Sequence, residues 1–254
     1  MECAKTTFIV MPVANEEDTI VSTLEEILSL NIERLYIVVV MDSYSKDNTK
    51  NRIEKIQQGK PICLLYHEKS TGVVSCYIHG FKYALDNNAD YIIEMDAGGS
   101  HNPQDIPRFL SLLKQGYDCV FSSRFIEGAG IKGHPLYRIL LSKYGTLLAN
   151  LVLATRLSDM TSGFEAFNAD ILRQIDLDNM LALSTTHFFQ TEIRYYCSKL
   201  NITEIPIIYH GTSSSLRVDG VLKCLKLLFE LRKRQPIEKE TINRSKIADR
   251  RRGD

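Results

Sequence analysis

The sequence predicts an α/β protein: an open, mostly parallel, Rossmann-like sheet flanked by helices, with an amphipathic helix near the C-terminal end. Three observations predict it. Short β-branched runs alternate with helix-period stretches through the first half, the order that feeds parallel strands through crossover helices. The second run, Ile37-Val38-Val39-Val40, is apolar at every position, as a strand covered on both faces must be. Carboxylates, glycines and an imidazole crowd the positions just past the strands, where open α/β sheets bind their ligands.

The elements follow in order. A first strand spans residues 7–13, and a helix spans 17–30 with Ile20, Leu24, Ile27 and Leu28 on one face. Asn15 is placed to cap that helix, and Glu16 and Glu17 suit its positive end. The second strand covers 34–41. Past it stand Asp42, whose carboxylate can hold a nucleotide base or ribose, and Ser45 and Asp47, suited to cap the next helix. A third strand (62–66) leads to a helix over 73–85 with Tyr77, Gly80, Phe81 and Ala84 on one side. The fourth strand (91–95) opens into Asp96-Ala97-Gly98-Gly99-Ser100-His101-Asn102-Pro103. That segment offers the hard oxygen ligands and close backbone approach that metal–phosphate chemistry needs; a tight glycine turn is the plainer reading. Pro103 opens a helix over 103–113, and a strand follows at 119–122.

The second half is less regular. A long apolar helix covers 136–154, then comes Asp159-Met160-Thr161-Ser162-Gly163-Phe164, a helix over 188–200 and a strand at 205–209. Residues 219–234 form a basic amphipathic helix. Its stripe of Val221, Leu222, Leu225, Leu228, Phe229 and Leu231 is flanked by Lys223, Lys226, Arg232, Lys233 and Arg234. Such a helix suits an anionic membrane surface or packs on the body with its lysines in water. The expected organisation is a body over 1–216, this helix over 217–235, and a polar, disordered tail over 236–254.

The formal net charge is zero, from 31 basic and 31 acidic side chains. It is unevenly spread: residues 1–216 carry 19 basic and 25 acidic groups, residues 217–254 carry 12 and 6. This argues against a nucleic-acid coat and against an acidic disordered chain. The six cysteines form no C-x-x-C pair and read as buried thiols. No run approaches the roughly 18–20 apolar residues that cross a bilayer. The expectation is a cytoplasmic protein, peripheral at the cytoplasmic face of a membrane.

Together the strand-end motifs resemble the family 2 glycosyltransferases of GT-A fold, most closely the dolichyl-phosphate (polyprenyl-phosphate) mannosyltransferase branch. Pro12-Val13-Ala14-Asn15-Glu16 matches the opening Pro-x-Tyr-Asn-Glu apart from the aromatic. Met41–Thr49 aligns with V-D-D-G-S-T-D-G-T, keeping Asp42, Ser45, Asp47 and Thr49. Gly72 and Tyr77-Ile78-His79-Gly80 match the glycine-rich turn and its helix. The segment 95–107 resembles M-D-A-D-x-S/Q-H-x-P-x-x-I-P, and Ser122-Ser123-Arg124-Phe125 resembles G-S-R-Y. Residues 159–167 resemble D-x-T-S-G-F-R-x-F, and Phe189-Gln190-Thr191-Glu192 resembles F-Q-x-E.

The resemblance implies an inverting transferase that moves a sugar, mannose from GDP-mannose, onto a polyprenyl or dolichyl phosphate. It places Pro12, Ala14, Asn15, Glu16, Asp42, Ser43, Gly72, Asp96, Ala97 and Gly98 around the nucleotide. Asp96, Arg124, Asp159 and Glu192 are the expected catalytic residues, the last two as bases for a hydroxyl acceptor. Arg124, Arg138, Lys143 and Arg217 are the expected phosphate contacts on the acceptor side. The expected cofactor is Mg²⁺ or Mn²⁺ held by Asp96 with Ser100 or His101, although the second acidic residue of D-x-D is Gly98. The alternatives are a UDP-sugar transferase acting on a hydroxyl of a cell-surface glycan or lipid, and a nucleotide-sugar binder without catalysis. No nucleic-acid partner is expected.

Overall fold

The computed structural model describes residues 4–185, 188–211 and 218–238. Its first half runs β1 (Thr7–Val13), α1 (Ile20–Ser29), β2 (Leu35–Asp42), α2 (Thr49–Ile56), β3 (Ile62–His67), α3 (Val73–Asp86), β4 (Tyr91–Glu94), α4 (Ile106–Lys114) and β5 (Cys119–Ser123). There follow β6 (Gly130–Lys132), α5 (Leu136–Leu153), β7 (Glu165–Asn168), α6 (Ala169–Leu172), α7 (Phe189–Cys197), β8 (Ile202–Pro206), β9 (Ile208–His210) and α8 (Val218–Leu231).

The main sheet has seven strands in the order β3-β2-β1-β4-β7-β5-β8. All pairings are parallel except those of β7, which runs antiparallel between β4 and β5. The carboxyl ends of β1, β2, β4 and β5 therefore open on one edge, and β7 starts there. Two features depart from the sequence reading. Strand β7 is only four residues long and begins on a buried glutamate, so no hydrophobic alternation announces it. The single strand expected at 205–209 is two: β8 ends at Pro206, and β9 pairs with β6 in a separate two-stranded sheet.

The core lies on both faces of the sheet. Val10, Val38 and Val40 pack under α3, while Ile9, Met11, Ile37 and Val39 pack under α1 and α4, which is why β2 has no polar position facing solvent in its middle. Helix α3 sits close on β1: a Cβ at Gly80 would come within 2.3 Å of Val10 Cγ1. Helix α8 docks on the body, with Leu227, Leu228 and Leu231 buried beside Ala149 and Val152 of α5. Leu222 and Phe229 remain exposed, so only part of its apolar stripe is covered. The chain past α8 begins ordered, with Ile237 N–H donating to the Tyr196 carbonyl (2.8 Å); the rest of the expected tail, and Arg217, lie outside the described residues. Among the described residues no helix is long and apolar enough to cross a membrane.

Candidate active site at the carboxyl edge of the sheet

The loops after β1 and β2 are stitched together. Asn15 N–H donates to Ser45 Oγ (3.1 Å), Glu16 N–H to Thr49 Oγ1 (2.8 Å) and Glu17 N–H to Asp47 Oδ2 (3.0 Å). In return Lys46 N–H donates to Asn15 Oδ1 (2.9 Å) and Asn48 N–H to Glu17 Oε2 (3.0 Å). Asn15 thus does not cap α1; it adopts a left-handed backbone (φ 57°) and ties the two loops. Asp47 does serve the next helix, accepting from Thr49 N–H (3.0 Å). Asp42 is buried and accepts from Tyr44 N–H (3.0 Å), whereas Ser43 is exposed. Pro12 and Ala14 border the same edge half-buried, and Gly72 caps α3 with φ 118°.

Asp96 leaves the end of β4 beside these loops and is held from three sides. Tyr77 Oη on α3 donates to its Oδ1 (2.8 Å) and Ser100 Oγ to its Oδ2 (3.3 Å). Its own N–H donates to Nδ1 of His101 (3.1 Å), whose side chain has no exposed surface. An imidazole that accepts at Nδ1 carries its proton on Nε2. That Nε2–H is buried without a partner among the described residues, 3.9 Å from Asp96 Oδ2. Burial also pushes the His101 pKa down, so the ring is a neutral donor. The expectation of His101 as a metal ligand is therefore corrected: neither nitrogen presents a lone pair. Ser100 turns its hydroxyl to Asp96. Ala97 is buried, and Gly98 faces the Glu16 carboxylate.

Arg124 follows β5 and meets Asp159 from the segment before β7. Nε and Nη2 donate to the two carboxylate oxygens (2.7 and 2.9 Å), and the Arg124 N–H joins them (3.2 Å). Burial would raise the Asp159 carboxyl, but the doubly bonded guanidinium holds it below its ordinary value. Asp159 therefore orients Arg124 and is not a base. Glu192 is corrected as well. Its buried carboxylate accepts from the N–H groups of Leu181 (3.0 Å) and Ala182 (2.7 Å) and pairs with Arg234, so it is taken up by holding that turn.

Beneath this edge lies a buried charge network. Arg194 on α7 pairs with Glu165 and donates to the carbonyls of Asp159, Ser122 and Ser162, with no exposed surface on either side chain. Glu94 faces Glu165 across the β4–β7 ladder and accepts from Gln190 Nε2 (2.9 Å). The Oε2 atoms of Glu94 and Glu165 are both buried without a hydrogen-bond partner among the described residues. The two residues are in register, and burial and the Glu165 charge push the Glu94 carboxyl well above its ordinary value, the condition under which a proton on Glu94 would give both oxygens a partner.

A second compartment adjoins Arg124. A cavity of about 330 Å³ is lined by Arg124, His134, Arg138 and Ser142 and by apolar residues of α5 and α8, among them Leu148 and Leu228. Tyr209 joins the two compartments: its ring stacks on His134 (5.6 Å), meets His101 edge-on (5.6 Å) and lies under the Arg124 guanidinium (5.6 Å). Lys143, expected here, is exposed on α5 and does not line the cavity. His134, Ser142, Tyr77 and Tyr209 were not singled out as site residues. Of these, only the i, i+4 spacing of Arg138 and Ser142 on one helix face was a usable signal. Among the described residues no group of three or more His, Cys, Asp or Glu is arranged to hold a metal ion.

Residues 8–176 match the profile of Glycosyl transferase family 2. The chain is 33% identical over 202 residues to an undecaprenyl-phosphate mannosyltransferase of Micrococcus luteus, covering 75% of this chain and 82% of that one. It is 25% identical over 213 residues to a polyprenol monophosphomannose synthase of Mycolicibacterium smegmatis, covering 80% and 77%. Among solved structures, glucosyl-3-phosphoglycerate synthase from Mycobacterium tuberculosis with Mn²⁺, UDP and glucosyl-3-phosphoglycerate superposes with a TM-score of 0.62. That match has 17% identity and covers 92% of this chain and 81% of the other. The fold is thus the GT-A arrangement the motifs implied.

Proposed function

The chain belongs to glycosyl transferase family 2, and from that premise we propose that it transfers mannose from GDP-mannose to a polyprenyl phosphate with inversion at the sugar carbon. The observation that carries the acceptor is the cavity beside Arg124, whose lining combines cationic and hydroxyl groups with leucines. A lipid phosphate has that polarity, and a glycan hydroxyl does not. The names of the bacterial relatives agree with it.

In this reading the nucleotide lies over the loops of Pro12, Ala14, Asn15, Asp42, Ser43, Gly72, Ala97 and Gly98. An acceptor phosphate oxygen attacks C1 of the sugar as the bond from C1 to the diphosphate oxygen breaks, and the electron pair leaves with the nucleoside diphosphate. The nucleophile is already an anion, so no base is required, consistent with Asp159 and Glu192 being engaged elsewhere. Arg124, Arg138 and Ser142 hold the attacking phosphate, and the Asp159 carboxylate locks the Arg124 fork in plane. His101 Nε2–H is an oriented donor for negative charge near Asp96.

The donor set fits a hard divalent ion, Mg²⁺ or Mn²⁺: Asp96 is an anchored carboxylate, and the orphaned His101 N–H beside it awaits an anionic group such as the ion's phosphate partner. When bound, such an ion neutralises charge on the departing diphosphate.

Residues 1–216 are assigned to the catalytic body, the segment 217–235 carries α8, which lines the acceptor cavity, and 236–254 is a polar extension. The outer face of α5 supports attachment to a membrane surface, which we place on the cytoplasmic side: Leu136, Tyr137, Tyr144, Leu147 and Leu151 are 63–76% exposed. The test is transfer of radiolabelled mannose or glucose from GDP- and UDP-sugars, with and without Mn²⁺, to a short polyprenyl phosphate or its free alcohol. Mannosyl transfer to the phosphate and none to the alcohol is expected. Transfer to the alcohol alone, or none to either despite nucleotide binding, would defeat the reading.

A further inference from the structure

Gly98 stands where the resemblance calls for a second carboxylate, yet the space is not empty. A Cβ built at Gly98 would lie 3.0 Å from Glu16 Oε1 and 3.2 Å from Oε2. The carboxylate of Glu16, from the β1 loop, occupies the volume that an aspartate at 98 would fill. The backbone at Gly98 is not left-handed, unlike that of Gly99 (φ 74°), so an ordinary side chain is excluded there by Glu16 and not by conformation.

Resting on the glycosyltransferase reading above, we propose that Glu16 supplies the second carboxylate of the divalent-cation site, in place of the aspartate that Gly98 replaces. Glu16 Oε2 accepts from Thr19 Oγ1 (2.9 Å), which fixes the side chain, while Oε1 takes no hydrogen bond among the described residues. Asp96, near enough for its charge to act on Glu16, takes one donor on each oxygen, leaving each a lone pair. A second, independent feature points to a ligand here: the His101 Nε2–H, fully buried and unpartnered, is 3.9 Å from Asp96 Oδ2. It supplies the donor for an anion carried in with the cation. The half-buried Glu16 and the nearby Asp96 and Asp47 are all acidic, so the cluster gains from a cation. Two carboxylates completed by substrate phosphates are an ordinary donor set for Mg²⁺ or Mn²⁺. Glu16 thereby acts on the cation and not on the nucleoside.

Mn²⁺ binding, followed by the EPR signal of the free ion, tests this without turnover, alone and with GDP. The set is wild type, Glu16→Gln, Glu16→Ala, Gly98→Asp and the double variant Glu16→Ala/Gly98→Asp, each checked by circular dichroism. Both Glu16 variants should lose at least about tenfold in Mn²⁺ affinity, the loss that even an outer-shell partner of a metal causes, and keep the metal-free GDP affinity of wild type. Gly98→Asp alone should weaken Mn²⁺ binding, because its side chain collides with Glu16. The double variant should regain most of the loss, the carboxylate having moved from one backbone to the other. Unchanged Mn²⁺ affinity in Glu16→Ala, a folded double variant with no recovery, or an equal fall in metal-free GDP affinity would each overturn the proposal. Glu16-dependent Mn²⁺ binding without sugar transfer would overturn the proposed function and leave this assignment standing.

Discussion

Replacing Glu94 by glutamine exchanges a buried carboxylic acid for an amide of nearly the same shape. If Glu94 holds the proton shared with Glu165, the new amide NH₂ donates to Glu165 Oε2 and its oxygen keeps the bond from Gln190. The expected cost is within about 1 kcal/mol, because no buried group loses its partner. Glu165→Gln is different. It leaves Arg194, which has no exposed surface, without its paired anion, and breaking such a pair costs about 3–5 kcal/mol. For a chain of this size that is a fall in Tm of roughly 10 °C, against about 3 °C or less for Glu94→Gln. The pH dependence separates the two further. A carboxyl whose pKa is raised by folding keeps its proton where the unfolded chain releases it. Wild-type stability should therefore fall as pH rises above 4.5, the ordinary value of Glu94. Glu94→Gln should reduce that slope, leaving the share of Glu165, whose carboxyl burial pushes up to about 7. Urea unfolding between pH 4.5 and 8 reads both quantities. A Glu94→Gln variant as damaged as Glu165→Gln, or one that keeps the wild-type slope, refutes the shared proton.

Further expectations concern the edge and the cavity. Arg124→Lys cannot bond both oxygens of Asp159, and transfer should fall at least about tenfold with the acceptor KM raised, in steady-state assays with short polyprenyl phosphate. Asp159, held below its ordinary value of 3.8, contributes stability above that pH that is lost as pH falls through the depressed value; an Asp159→Asn variant should lack this acid limb in thermal melts. Gly80→Ala places a methyl 2.3 Å from Val10 Cγ1 and should cost about 1–3 kcal/mol by overpacking. Glu192→Gln should lower Tm yet leave kcat close to wild type, a result incompatible with a base. Leu147→Ser/Leu151→Ser should leave Tm unchanged and weaken sedimentation with anionic vesicles, since both side chains are exposed.

The alternating elements, the apolar β2 and the polar clusters past β1, β2 and β4 were legible because periodicity and strand-end position are local properties of the chain. So was the place of Asp96 and Arg124, since each follows directly on a strand. Strand β7 was not legible: four residues opening on Glu165 look polar until Arg194, distant in sequence, neutralises them. Glu192 kept its motif position but turns to the N–H groups of Leu181 and Ala182, a contact that exists only once α7 is docked. Tyr209 was only the last residue of the strand expected at 205–209, and it became the bridge between compartments when the chain broke after Pro206 and β9 paired with β6.

By itself the sequence determined which residues could carry charge to the carboxyl edge and in what order the strands would deliver them. Only the tertiary structure decided which carboxylates face one another, because that depends on loops brought together from remote parts of the chain. The aspartate missing at Gly98 reads in sequence as a lost ligand, and in three dimensions its place is taken by Glu16 from a different strand end.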